Sequence, residues 1–180
     1  ALDVSSGAIT QLTDRVGPDV GPQVSPDGSR IAYLGFDDVG NAFDQTNLYV
    51  MNADGSGSRQ LASELDRGID GLEWTKSGLY ASYEDDGEHR VARVNLNGNV
   101  SALAPRIGSP YYALPYTGGQ WSVRDGGAIA FTTVSSVRPP DIGLSSRGRT
   151  RVLTSLNDVS LGGKDLGETR ELVVTAADGT

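Results

Sequence analysis

The sequence predicts an all-β fold assembled from repeated four-stranded antiparallel units, a partial β-propeller of about three blades plus part of another, with few or no helices. Three observations carry the prediction: internal repetition, a high density of two-residue turn signals, and short strands in which apolar and polar residues alternate. The turn pairs fall at Asp27-Gly28, Asp54-Gly55, Asp86-Gly87, Asn97-Gly98, Asp125-Gly126 and Asp178-Gly179. An Asp or Asn followed by Gly accepts the positive φ angles that a tight hairpin needs, so pairs at this density mark many short strand connections.

The repetition is visible when three segments are laid over one another: GPQVSPDGSRIAYL from Gly21, DGLEWTKSGLYASY from Asp70 and GGQWSVRDGGAIAFT from Gly118. In each, an apolar residue (Val24, Trp74 or Trp121) precedes a Ser or Thr and a Gly-containing turn. A strand then alternates around Ile31 and Tyr33, Leu79 and Ala81, or Ile129 and Phe131. A second hairpin follows each one, LYVMNADGSGSRQL, VARVNLNGNVSAL and IGLSSRGRTRVL, closing on Leu61, Leu103 and Leu153. The opening LDVSSGAITQL has the second-hairpin pattern without a first, and closes on Leu12.

The closing leucines are 49, 42 and 50 residues apart, the spacing of four-stranded blades rather than helical repeats. Neighbouring blades must stack to bury their faces, because one blade of this size cannot do so alone. The expected organisation is the C-terminal half of a preceding blade over residues 1–14, blades over 15–65, 66–108 and 109–157, and an exit linker with an orphan strand over 158–180. Two stretches break the regular spacing: the loop Phe36 to Thr46 and the Tyr-rich segment Ser109 to Tyr116. Connections of this kind often carry function.

A composition of 37% hydrophobic and 21% charged residues is that of a folded soluble domain. With no Cys, neither a disulfide nor a thiolate metal site can form. No run approaches the roughly 18 apolar residues of a membrane-spanning helix, and the first residues lack the order of a signal peptide, so no membrane partner is expected. A net charge of -8 with scattered Lys and Arg argues against nucleic acid. The compartment is left open between bacterial cytoplasm and periplasm.

Val24-Ser25-Pro26-Asp27-Gly28 with Arg30-Ile31-Ala32-Tyr33, then Leu48-Tyr49-Val50-Met51-Asn52 and Arg59-Gln60-Leu61, resembles the propeller repeat shared by TolB-like proteins and the prolyl oligopeptidase family. The later residues Pro139-Pro140-Asp141-Ile142, Leu153-Thr154-Ser155-Leu156-Asn157, Gly167-Glu168 and Asp178-Gly179 resemble the exit from a propeller into the hydrolase domain of acylaminoacyl-peptidase or dipeptidyl-peptidase-like members of that family. The resemblance implies a ring of about seven or eight blades capping a C-terminal α/β-hydrolase domain that supplies the catalytic Ser, Asp and His. Trp74-Thr75-Lys76-Ser77-Gly78 lacks the Pro-Asp turn, and Val24 stands where Trp is usual.

No candidate for catalysis emerges within the chain. The G-x-S-x-G elbow that exposes a nucleophilic serine does not occur. The single imidazole, His89, falls in the polar run Asp85-Asp86-Gly87-Glu88-His89-Arg90, read as a hairpin connection. The acidic pairs at Asp37-Asp38 and Glu84-Asp85-Asp86 lack the alternating ligands of a calcium loop and read as solvated charge, so no metal and no cofactor is expected. Some aminopeptidases of the resembled family hold a substrate amine on propeller carboxylates, but no paired-Glu motif is present. Glu64 and Asp66 lie between blades with no assigned role. Trp74 and Trp121 read as equivalent packing positions, and Tyr111, Tyr112 and Tyr116 as lining for a surface groove.

The expected function is that of a non-catalytic propeller segment of a serine peptidase, gating peptide access to a hydrolase domain outside this chain. The alternative is a TolB-like scaffold for protein partners. Uncovered blade faces also predict self-association of the isolated chain.

Overall fold

The computed structural model describes residues 1–108, 118–135, 137–168, 170, 172–175 and 177, with Ala104 and Pro105 as backbone only. It contains three four-stranded antiparallel sheets, each a simple meander. The first is built from β1 (Asp19–Val24), β2 (Arg30–Gly35), β3 (Asn47–Asn52) and β4 (Arg59–Leu61). The second comprises β5 (Ile69–Thr75), β6 (Gly78–Asp85), β7 (Glu88–Val94) and β8 (Val100–Ile107), and the third β9 (Trp121–Val123), β10 (Ile129–Ser135), β11 (Arg138–Ser146) and β12 (Arg149–Val152). A four-residue helix, Asp158–Leu161, follows.

Local chemistry sets the hairpins. In the first, the Gly28 N–H donates to the Ser25 carbonyl at 2.8 Å, and Gly28 takes a φ of 73° that a side chain would resist. At the tip of the second sheet Asp86 and Gly87 both have positive φ, 50° and 71°, the two-residue turn whose twist suits adjoining strands. Because that turn is so short, Asp85 already pairs with Glu88 and Glu84 with His89. His89 therefore belongs to β7 and is buried. The expected hairpin connection is corrected: strand alternation turns the imidazole inward one residue after the turn ends.

The sheets stack through their faces, and their first strands contact one another in sequence, β1 with β5 and β5 with β9. The seam between the first and second sheets is apolar, formed by Ala32, Leu34, Leu48, Val50 and Leu61 against Ile69, Leu79, Ala81 and Val94. Tyr80, Val91 and Ile107 meet Val123, Ile129 and Phe131 in the seam between the second and third.

The hairpin registers correct one alignment made from sequence. Val24 pairs with Ile31, Trp74 with Leu79 and Val123 with Ile129. Val123, not Trp121, therefore occupies the position of Trp74. The slip is two residues, which preserves the face on a period-two strand and so leaves the apolar pattern intact. Ahead of the first sheet, Leu2 and Ile9 form an isolated antiparallel bridge. Leu172, Val173 and Val174 are exposed and belong to no strand.

Candidate functional site

The single imidazole sits in the seam between the second and third sheets. Ser82 Oγ donates to Asp70 Oδ1 at 2.5 Å, and His89 Nε2 lies 3.3 Å from the same oxygen, at an angle too oblique for a hydrogen bond. Strand order explains the meeting: Asp70, Ser82 and His89 stand on β5, β6 and β7, adjacent strands of one sheet. Gly71 makes room, since a Cβ there would lie 2.5 Å from Ser82 Oγ.

This constellation contains the residue types of a catalytic triad in the wrong order. A nucleophilic serine must hand its proton to the imidazole, which the carboxylate orients from the far side. Here the hydroxyl donates to the carboxylate instead, and Ser82 is 1% exposed, so no substrate carbonyl reaches it. The geometry is that of a strap between β5 and β6, with the buried imidazole of β7 lying against it. A second carboxylate serves the same end: Glu73 Oε2 on β5 accepts the N–H of Val123 on β9 at 2.9 Å, fastening the first strands of neighbouring sheets.

Burial works to raise the Asp70 carboxyl, but the neighbouring His89 and the Ser82 hydroxyl outweigh it and hold it below its ordinary value. In the first hairpin, hydrogen bonds from Ser25 and Ser29 bring Asp27 down to about 2. The Leu156 N–H and the Thr154 hydroxyl lower Asp141. A carboxyl depressed by folding contributes stability above its unfolded pKa and loses it as pH falls through the folded one. The thermal midpoint is therefore expected to hold from neutrality down to about pH 4 and to fall between about pH 4 and 2. A midpoint flat to pH 2 would show that these hydrogen bonds do not favour the ionised carboxylates.

The two ends of the sheets differ. At one, the Ile69 N–H donates to the Thr46 carbonyl, joining the loop of residues 36–46 to the connection between the first two sheets. Phe43 in that loop is 96% exposed, and Glu64 and Asp66 are exposed in the connection. The acidic run here is paired rather than simply solvated: Asp85 lies 3.4 Å from Arg67 and 3.3 Å from Arg90, and Glu88 binds Arg90 and Arg106. Sequence reading missed the pairing because Arg67 approaches Asp85 only through the fold. Asp37 likewise lies 3.7 Å from Arg15, which stacks on the Tyr49 ring.

At the opposite end, the Lys76 N–H donates to Asp125 Oδ1 at 2.9 Å, linking the first turns of the second and third sheets. Trp74 and Trp121 are half-buried against the two apolar seams, as packing residues. Tyr111, Tyr112 and Tyr116 lie outside the described residues. Among those described, no three His, Asp or Glu side chains converge as a metal site would require.

Three stacked four-stranded meanders with their first strands side by side define a β-propeller segment. Solved structures agree. The chain is similar to the β-propeller domain of the trilobed protease from Pyrococcus furiosus, with a TM-score of 0.58 and 17% identity over 81% of this chain and 40% of that one. It is similar to the acylaminoacyl peptidase of Pyrococcus horikoshii, with a TM-score of 0.66 and 15% identity over 89% and 23% of the two chains. It is also similar to TolB from Acinetobacter baumannii, with a TM-score of 0.58 and 16% identity over 85% and 36%. The chain thus spans two fifths or less of the length of these proteins, and at such identities the likeness establishes the fold. The sequence matches no family model and no curated protein.

Proposed function

We propose that this propeller segment is the non-catalytic part of a serine peptidase of the prolyl oligopeptidase family, walling off a hydrolase site carried elsewhere in the protein. The observation that supports this reading is the combination of a peptidase-like propeller with a buried Ser82 whose hydroxyl is committed to Asp70 rather than to the imidazole. Such a wall selects by width. An extended peptide passes between blades while a folded protein does not, so discrimination needs no reactive group on the propeller. The end bearing the loop of residues 36–46 is the face assigned to the hydrolase domain, because Phe43 and Val39 leave apolar surface there that a partner domain would cover.

The experiment is to express the whole reading frame and assay it on short aminoacyl- and acyl-peptide reporters and on a folded protein substrate. Hydrolysis of the short reporters alone is the expected result, and Phe43→Ser is expected to slow it without lowering the melting temperature of the 180-residue chain. A reading frame without a G-x-S-x-G elbow, or one inert on every reporter, overturns the proposal.

A further inference from the structure

A cleft of about 470 Å³ opens between the first turns of the first and second sheets, with Asp27, Arg30, Trp74, Lys76, Gly78 and Arg93 among its walls. Both walls belong to sheets this chain supplies, so the cleft needs no further blade to complete it. Its lining is cationic in a protein whose net charge is -8. Arg30 and Arg93 make no ion pair or side-chain hydrogen bond among the described residues. Lys76 Nζ is 3.9 Å from Asp125. Asp27 is engaged inside its own turn, accepting from Ser25 Oγ at 2.6 Å, from the Ser29 N–H at 3.0 Å and from Ser29 Oγ at 2.9 Å.

Gly78 sets the position of Arg93. A Cβ at Gly78 would fall 2.6 Å from Arg93 Nε and 3.2 Å from Nη2, so the missing side chain is the space in which the guanidinium lies. The apolar part of the cleft is formed by Trp74 and Leu96, both half-buried against the seam below. Planar guanidinium forks match the two oxygens of a carboxylate, and a tryptophan ring beside them offers contact to an attached apolar group.

We propose that this cleft binds a carboxylate attached to an apolar or aromatic group, with the oxygens on Arg30 and Arg93 and the apolar part on Trp74 and Leu96. The same chemistry is presented by a free aromatic acid and by the C-terminal residue of a peptide. The proposal is independent of the peptidase reading, since it uses neither a hydrolase domain nor the opposite end of the sheets.

The test follows backbone amides by NMR while the 180-residue chain is titrated with benzoate, N-acetyl-L-phenylalanine, benzamide and inorganic phosphate. Both carboxylates are expected to give saturating shifts at residues 27–30, 76–78 and 93–96, with N-acetyl-L-phenylalanine the tighter if peptide ends are the natural source and benzoate if free acids are. The Arg30→Gln, Arg93→Gln double variant is expected to weaken both by at least about tenfold. Should that variant melt early, the single Arg93→Gln substitution at an exposed side chain gives the same reading. Shifts that are absent, scattered, matched by benzamide or phosphate, or unmoved by the substitutions overturn the proposal.

Discussion

Leu48→Ala is expected to destabilise the chain by about 3 kcal/mol, the cost of removing a buried leucine and leaving a cavity. Leu48 is fully buried between β2 and β4, paired with Leu34 on one side and Leu61 on the other. All three face the second sheet, so the cavity opens in the seam that holds two sheets together and not inside one of them. Urea unfolding followed by far-UV circular dichroism checks it. The equivalent substitution in the third sheet, Ile142→Ala, should cost much less, because Ile142 is 39% exposed. Equal losses at the two sites would show that seam packing is not what stabilises the array.

Asp70→Ala is expected to cost about 1–3 kcal/mol, because it leaves the buried Ser82 hydroxyl without an acceptor. Asp70→Asn retains an acceptor oxygen and should cost less. The strap reading requires coupling, so the Asp70→Ala, Ser82→Ala double variant should be less destabilised than the sum of the single variants. Strict additivity, measured by the same unfolding curves, would separate the two residues.

The repeat was legible because it is written in local chemistry. Asp-Gly and Asn-Gly turns impose their own backbone angles, and period-two alternation sorts each strand into an inner and an outer face wherever the strand lies. The slip at Trp121 shows the limit of that signal: two registers two residues apart present the same pattern, and only the pairing of Val123 with Ile129 separates them. His89 shows another. Its neighbours in sequence are charged, yet alternation from a two-residue turn puts its ring on the face that packs against the third sheet, where a Cβ built on Gly118 would lie 4.0 Å from Nδ1. The surroundings of His89 were not legible, because Asp70 lies 19 residues away and its bond from Ser82 depends on a register that sequence spacing does not reveal.

The sequence by itself determined the class of fold, the four-stranded unit, its turns and the absence of a serine elbow, because each is fixed by residues near one another in the chain. Tertiary structure decided what each repeated position does. Leu61 and Leu153 close equivalent hairpins, but Leu61 is 1% exposed and Leu153 48%. The difference arises because the face bearing Leu61 has the second sheet stacked upon it, whereas the face bearing Leu153 has no such sheet among the described residues. Stacking likewise brought Arg30 and Arg93 to one cleft, and strand pairing joined Ser82 to Asp70 beside the His89 ring. Side-chain contacts across a seam depend on the rotation of one sheet against the next, which no local pattern encodes.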